Sequence, residues 1–162
     1  MDRYIQAHGQ RLFGLCLTLC AHRQDAEDLY QDTWLKALAH FHQYDPARPF
    51  EPWLTRICVN TYRNTLRRLA RRTIFPGFRT GEEKEALLNA VPARSQPDYA
   101  PLYQAIHGLP EKLRVAVILY YFEDMDIAST AQVLGIPPGT VKSRLNKART
   151  KLKEVLGDET DF

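Results

Sequence analysis

Apolar side chains recur at helical spacing along most of this chain, and no segment repeats the alternation of apolar and polar residues that is typical of strands. The clearest segment is residues 127–153, where two helical patterns flank a short turn. The apolar stripe of the first helix comprises Ile127, Ala131 and Leu134. The apolar stripe of the second helix comprises Val141, Leu145, Ala148 and Leu152. The sequence therefore predicts an all-α protein.

Residues with known capping preferences surround the turn between these two helices. Asp126 stands where an N-cap is needed, because its carboxylate can accept from the first backbone N–H groups of a helix. Gly135 ends the first helix, since the residue after a last helical turn often has a positive φ, which costs glycine little. Pro138 suits the first turn of the second helix, where no backbone N–H is required. This layout is typical of a DNA-binding helix-turn-helix.

The exposed faces of the second helix carry positive charge and no acid up to residue 153. Its basic residues are Lys142, Arg144, Lys147, Arg149, Lys151 and Lys153. A helix that is only solvated usually mixes both signs of charge, so this helix favours DNA binding over an ordinary surface hairpin.

Two further helices are predicted near the start of the chain, over residues 2–22 and from an N-cap at Asp25 to about Phe41. The apolar face of the second one comprises Ala26, Tyr30, Thr33, Trp34, Ala37 and Phe41. Its other face is acidic, and Leu35 and Leu38 border that face. Because an apolar residue beside acids can mark a protein contact, this face is a candidate partner-binding surface.

Residues 44–52 contain three prolines and are predicted to form a loop, followed by a helix over residues 53–72. The predicted inner stripe of this helix comprises Leu54, Ile57, Thr61, Thr65 and Leu69. A separate face, which we call the arginine stripe, comprises Arg56, Asn60, Arg63, Asn64, Arg67 and Arg71. Arginines neutralise phosphates, amides can bind base edges, and aromatic residues such as Phe50 and Trp53 can stack on an unpaired base. Aromatic residues in loops more often cover a hydrophobic core. This is the alternative to base stacking for Phe50 and Trp53.

Prolines, glycines and glutamates interrupt the helical pattern from residue 73 to about residue 101, and the pattern resumes at Leu102. A flexible linker is expected there, with a short helix over residues 82–89. The predicted organisation is two small helical domains, residues 1–74 and 102–157, joined by a linker at residues 75–101.

The net charge of +3 conceals an uneven distribution of charge along the 162 residues. Residues 53–79 hold seven arginines and no acid, and residues 135–153 hold six basic residues and no acid. The remainder of the chain is strongly acidic, so two contacts with a polyanion and at least one different partner are expected. Three cysteines form no disulfide framework, and no signal peptide or membrane span is predicted, which favours the cytoplasm.

Four segments in order, residues 25–38, 48–64, 109–126 and 134–149, resemble bacterial RNA polymerase sigma factors of the extracytoplasmic-function (ECF) type. The strongest local matches are the run from Gly139 to Arg144 and the pair Arg56 and Ile57 followed by Asn60. The resemblance covers nearly the whole chain and implies a sigma-2 domain, which is a helical bundle, and a sigma-4 domain, which contains the helix-turn-helix. It implies a promoter-recognition subunit with no catalytic activity.

The resemblance also implies roles for individual residues. The polymerase-binding residues would be Asp28, Gln31, Asp32 and Leu35, on the clamp coiled coil of the largest core subunit. The −10 element would be bound by Phe50, Trp53, Arg56, Asn60, Arg63, Asn64 and Arg67, with Asn60 at the base-contacting position. The −35 element would be bound by Thr140, Lys142, Ser143, Asn146, Lys147 and Arg149. Asn146 and Lys147 occupy variable positions that set promoter specificity.

The resemblance implies three partners: core RNA polymerase, promoter DNA and an anti-sigma factor that covers both cationic faces. No cofactor, metal, small-molecule substrate or insertion into a membrane is expected. The family usually has more helix before the position of Tyr4, so we expect either a short first helix or a start codon assigned too late.

Two other classes of protein compete with this interpretation. A free-standing helix-turn-helix regulator would need a dimerisation element, no heptad seam is visible, and the arginine stripe would have no role. An enzyme would need a constellation of reactive residues. His40, His42 and Asp45 lack a fourth metal ligand, and no P-loop, nucleophile elbow or HExxH motif is present.

Overall fold

The computed structural model describes residues 1–72 and 100–157, which are helical with no strand among them. The chain divides into two compact units, Met1–Val91 and Pro92–Phe162. The described helices of the first unit are α1 (Asp2–Leu19), α2 (Arg23–Ala39), a 3-10 turn (Phe41–Gln43) and α3 (Phe50–Arg72). Those of the second unit are α4 (Ala100–His107), α5 (Glu111–Val117), a π-helical turn (Ile118–Phe122), α6 (Ile127–Leu134) and α7 (Pro138–Leu156). The predicted all-α class is confirmed.

The core of the first unit forms where α1, α2 and α3 pack against one another. Its buried residues include Leu12, Leu15, Cys16, Leu19, Ala26, Leu29, Leu54, Cys58 and Val59. Thr33 is also buried, and its hydroxyl donates to the Leu29 carbonyl at 2.6 Å. This hydrogen bond within α2 allows a polar side chain to be buried without an unsatisfied donor.

Helices α2 and α3 both begin earlier than the sequence predicted. The N-cap of α2 is His22, so the prediction that Asp25 caps this helix was wrong, and Asp25 lies in the first turn. An acid there still interacts favourably with the helix dipole. Helix α3 starts at Phe50 and includes Pro52, because a proline in the first turn lacks only an N–H that has no partner within the helix. Leu69, predicted to face inward, is 41% exposed.

In the second unit, α5 packs against α7, and the adjoining π-helical turn contacts α5 and α6. Four side chains of α7, the predicted Val141, Leu145, Ala148 and Leu152, are each at most 1% exposed. The apolar stripe of this helix is therefore confirmed. Helix α4 begins at Ala100, two residues before the predicted restart of helical spacing. The rest of the predicted linker, with its short helix, lies outside the described residues.

The capping residues of the helix-turn-helix act as predicted. Oδ1 of Asp126 accepts from the backbone N–H of Ser129 at 2.7 Å, and this hydrogen bond lowers the pKa of the carboxyl. Gly135 ends α6 with φ +66°, in the left-handed region, and Pro138 is the first residue of α7. Gly135 and Pro138 therefore define the turn between α6 and α7.

Candidate nucleic-acid interfaces

The arginine stripe lies on the solvent side of α3. Cys58 and Tyr62 occupy the opposite, buried side of the helix. Within the stripe, Arg63 is half-buried, and the exposed members are Arg56, Asn60, Asn64, Arg67 and Arg71. Because these side chains are exposed along one face of a continuous helix, they form a cationic surface with two carboxamides set into it.

A cluster of aromatic rings surrounds the start of α3, with Phe50 at its centre. Phe50 stacks on Tyr4 with ring centroids 4.3 Å apart and lies 5.4 Å from Trp53 and 6.3 Å from Trp34. Phe50 is only 5% exposed, so its ring lies in the core and not on the surface where the sequence predicted a DNA contact. Trp53 is half-buried and remains accessible at the edge of the cluster.

Tyr44 also belongs to this aromatic cluster, and it was not among the residues predicted to bind DNA. Its ring lies 5.2 Å from Trp53, and its hydroxyl donates to the Arg48 carbonyl at 2.6 Å. Partial desolvation raises the pKa of the Tyr44 hydroxyl, with smaller contributions from Tyr4 and Asp45. Tyr44 therefore fixes the loop before α3 and completes the aromatic surface beside Trp53. The sequence indicated only that Tyr44 is the first residue of the predicted proline-containing loop.

The acidic face of α2 is exposed, as predicted, at Asp28, Gln31 and Asp32. Leu35 and Leu38, one turn apart on the same helix, are 64% and 58% exposed. A single exposed leucine is common on protein surfaces and does not indicate a binding site. Neighbouring exposed leucines do indicate one, because a partner that buries them gains free energy. Two adjacent leucines beside acids form a compact candidate surface for a protein partner.

The predicted DNA-binding residues of α7 occupy two environments. Lys142, Ser143, Asn146 and Lys147 are exposed on the side opposite the buried stripe, and Thr140 is half-buried in the first turn. Arg149 is also half-buried, and its guanidinium bonds to the side chains of Tyr121 and Asn146. Tyr121 lies 28 residues before Arg149, and no local pattern in the sequence connects the two.

In the part of the chain that the structure describes, no group of three or more His, Cys, Asp or Glu side chains could hold a metal ion. The described helices also include none that is both long and apolar enough to cross a membrane.

Two family models match the two units. The model for sigma-70 region 2 matches residues 4–72, which contain α1 from Tyr4 onward, α2 and α3. The model for sigma-70 region 4 matches residues 99–152, which contain the helix-turn-helix. The arginine stripe and the exposed residues of α7 therefore lie within separate matched regions.

Several characterised proteins are similar along nearly the whole chain. The ECF RNA polymerase sigma factor SigM of Mycobacterium tuberculosis is 33% identical, over 96% of this chain and 76% of that protein. The RNA polymerase sigma factor CarQ of Myxococcus xanthus is 30% identical, over 93% of this chain and 86% of that protein. The ECF sigma factor SigE of Mycolicibacterium smegmatis is also 30% identical, and this chain spans 61% of its length.

Two solved structures share the fold. The sigma factor RpoE in complex with the anti-sigma factor NepR from Bartonella quintana aligns over 98% of both chains, with a TM-score of 0.79 and 23% identity. CnrH in complex with the cytosolic domain of CnrY aligns over 98% of this chain and 88% of that one, with a TM-score of 0.67 and 24% identity.

Proposed function

Because this chain belongs to the ECF family of RNA polymerase sigma factors, we propose that it directs core RNA polymerase to promoters. It binds the core enzyme, recognises the −35 and −10 elements, and helps to separate the DNA strands. One observation carries the proposal: a single chain holds two exposed cationic helical faces, one beside an aromatic cluster and one in a helix-turn-helix. Capture of a single strand uses cations and aromatic rings, whereas reading of a duplex uses a helix in the major groove.

In the first unit, the arginine stripe binds the −10 element as it becomes single-stranded. Asn60 contacts an unpaired base, while Arg56, Arg63, Asn64 and Arg67 hold the backbone. Trp53 supplies the stacking surface, and the buried Phe50 supports that ring from within the cluster. Holding an unpaired base offsets part of the free energy that strand separation costs.

In the second unit, α7 lies in the major groove of the −35 element. The base- and phosphate-facing residues are Lys142, Ser143, Asn146 and Lys147, which are exposed polar residues in the N-terminal half of α7. Thr140 and Arg149 contribute to phosphate binding at the edges of this surface. The Lys and Arg contacts make binding strongly dependent on salt.

The acidic face of α2 binds the clamp coiled coil of the core polymerase through Asp28, Gln31, Asp32 and Leu35. Leu38 extends the apolar part of this surface. The charges provide orientation, and burial of the two leucines provides affinity.

The protein is a non-enzymatic initiation factor and works in the cytoplasm. An anti-sigma factor would cover its two cationic faces and so compete with promoter DNA. A solved structure of similar fold is a complex of a sigma factor with an anti-sigma factor, which supports this class of partner.

Run-off transcription tests the proposed function. Core RNA polymerase is mixed with the full chain and a pool of genomic fragments, and the transcripts are sequenced from their 5′ ends. Discrete start sites that share two upstream elements are the expected result. Absence of specific starts, together with duplex binding by the chain alone, would instead favour a free-standing helix-turn-helix regulator.

Two charge-reversed variants test, in the same assay, whether α7 reads the −35 element. Changing Lys142 and Lys147 together to Glu is expected to abolish dependence of transcription on the −35 element. The matched control changes Lys151 and Lys153 to Glu, which alters the charge equally at exposed positions farther along the same helix. Equal effects of both pairs would contradict the assignment of the base-reading surface.

A further inference from the structure

Arg149 is held by side-chain contacts within the second unit. Its Nε donates to the Tyr121 hydroxyl at 2.7 Å, and its guanidinium carbon lies 5.7 Å from the centroid of the Tyr121 ring. Its Nη1 donates to Oδ1 of Asn146 at 2.9 Å, one turn earlier on α7. These three side chains connect the π-helical turn to the exposed face of α7, and we call them the Tyr121–Arg149–Asn146 relay.

The relay determines which end of the Asn146 carboxamide points outward. A guanidinium has only N–H donors, so the group that faces Arg149 must be the carboxamide oxygen. The carboxamide NH2 group then points away from Arg149, on a side chain that is exposed. Asn146 therefore presents hydrogen-bond donors to a ligand, whereas an unrestrained asparagine can rotate and present either end.

Tyr121 is the anchor of this arrangement. A long arginine side chain has many rotamers, and the hydroxyl of Tyr121 restricts them by accepting a hydrogen bond from Nε. The Tyr121 ring is itself packed edge-on against Tyr120, with centroids 4.9 Å apart. Because the phenol is uncharged, it orients Arg149 without neutralising the positive charge that phosphate binding uses.

We propose that Tyr121 and Arg149 are positioning residues that make Asn146 select a base pair with hydrogen-bond acceptors in the major groove. This inference rests on the proposed function, in which α7 lies in the −35 major groove. The usual pairing of asparagine with adenine needs the carboxamide oxygen to accept from adenine N6 while the NH2 group donates to N7. Arg149 already donates to that oxygen and occupies one of its two lone pairs, whereas guanine offers two acceptors, N7 and O6, which require only the NH2 donors. The relay therefore shifts the preference of Asn146 from adenine toward guanine.

The test uses holoenzyme assembled from core polymerase and the full chain. A promoter found by run-off transcription is rebuilt as a pool in which the −35 element is fully randomised, and sequenced transcripts give the base preference at each position. The Asn146→Ala variant identifies the position that Asn146 reads, because the preference at that position alone disappears. The relay predicts that the parent protein prefers guanine there.

The decisive variant is Tyr121→Phe, which removes the hydroxyl and keeps the ring. The preference for guanine over adenine at the Asn146 position is expected to fall roughly threefold to tenfold, with the other positions unchanged. Arg149→Lys keeps the charge but cannot reproduce the forked contact, so the same relaxation is expected. The matched control is Tyr120→Phe, since the Tyr120 hydroxyl makes no hydrogen bond within the described residues. The base preferences of this variant should equal those of the parent at every position.

The outcomes separate this inference from the proposed function. If Asn146→Ala removes a preference and Tyr121→Phe leaves it intact, the relay is overturned while DNA reading by α7 stands. If Asn146→Ala alters no position, the relay is also overturned, and the paired Lys142→Glu and Lys147→Glu variant decides whether α7 reads the −35 element. A parent preference for adenine at the Asn146 position would likewise contradict the relay. Circular dichroism at the assay temperature confirms that each variant is folded.

Discussion

The Sγ atoms of Cys16 and Cys58 lie 3.8 Å apart in the core of the first unit, joining α1 to α3 across 42 residues of sequence. Both side chains are fully buried. The hydrogen bond between the thiols, followed by burial, raises the pKa of Cys16 far above its ordinary range. Cys16 is therefore a neutral thiol, and the two buried side chains pack as small apolar groups that stabilise the contact between the two helices.

We expect these thiols to resist iodoacetamide in the folded protein and to react after unfolding in urea, because a neutral, buried thiol is a poor nucleophile. Mass spectrometry of the labelled chain measures this directly. Changing both Cys16 and Cys58 to Ala should lower the free energy of unfolding of the first unit by about 2–4 kcal/mol, through lost packing. Tryptophan fluorescence reports this unit, since Trp34 and Trp53 are the two tryptophans of the chain. Rapid labelling under native conditions would contradict the packing described for this pair.

The exposed leucines of α2 provide a test of polymerase binding. Changing both Leu35 and Leu38 to Ser is expected to weaken binding to core polymerase at least tenfold, because each leucine loses about 1.5–3 kcal/mol of apolar burial. Competition with a labelled sigma factor measures the change. Val155→Ser is the matched control, since Val155 is 70% exposed on α7 in the other unit. An unchanged affinity of the double variant would place the core-binding surface elsewhere.

Asn60→Ala tests the assignment of the arginine stripe. Loss of its carboxamide should reduce the rate of open-complex formation roughly tenfold, while binding to core polymerase stays within twofold of the parent. Potassium permanganate footprinting of unpaired thymines measures strand separation. Gln10→Ala is the control, because it also removes an exposed carboxamide from the first unit. A variant that no longer bound core polymerase would show that the role of α3 is assigned wrongly.

The N-cap of α6 predicts a pH dependence of stability. The pKa of Asp126 is lowered in the folded chain, mainly by the hydrogen bond from the Ser129 backbone N–H. Its contribution to stability is therefore present above the ordinary pKa of an aspartic acid and is lost as the pH falls through the lower, folded value. The difference in thermal unfolding temperature between the parent and Asp126→Ala should stay constant down to about pH 5 and shrink as the pH falls below about 4.

Asp124→Asn is the control for this pH series. Asp124 is exposed and has φ 53°, a backbone conformation that asparagine also tolerates. The substitution removes a carboxylate near Asp126 without removing the cap. A pH-dependent loss as large as that of Asp126→Ala would show that net charge, not capping, is responsible.

Two glycines of the helix-turn-helix should respond to alanine with opposite signs. Gly135→Ala places a Cβ at φ +66° and should destabilise the second unit by about 1–2 kcal/mol, although the added atom meets nothing within 4 Å. Gly139→Ala adds a Cβ in equally open space inside α7 and should stabilise the unit by about 0.5–1 kcal/mol. Hydrogen exchange of peptides from α6 and α7 distinguishes the two variants. Equal effects would mean that conformational strain at Gly135 is negligible.

The sequence by itself determined the helices of the helix-turn-helix and their inward faces. Val141 and Leu145 follow helical periodicity, and Asp126 and Gly135 act through the backbone within one turn of their own positions. Such local interactions can be predicted from the sequence because they depend only on nearby residues. Exposure of the arginine stripe followed from the same periodicity, apart from the half-buried Arg63.

Only the tertiary structure decided which residues from distant segments meet. Phe50 is buried because Tyr4 and Trp34, from two other helices, enclose its ring. Tyr121 receives the Arg149 hydrogen bond because the π-helical turn and α7 both pack against α5 and α6. Periodicity indicates which face of a helix is apolar. Contacts between different helices depend on how those helices pack, and packing is a property of the whole core.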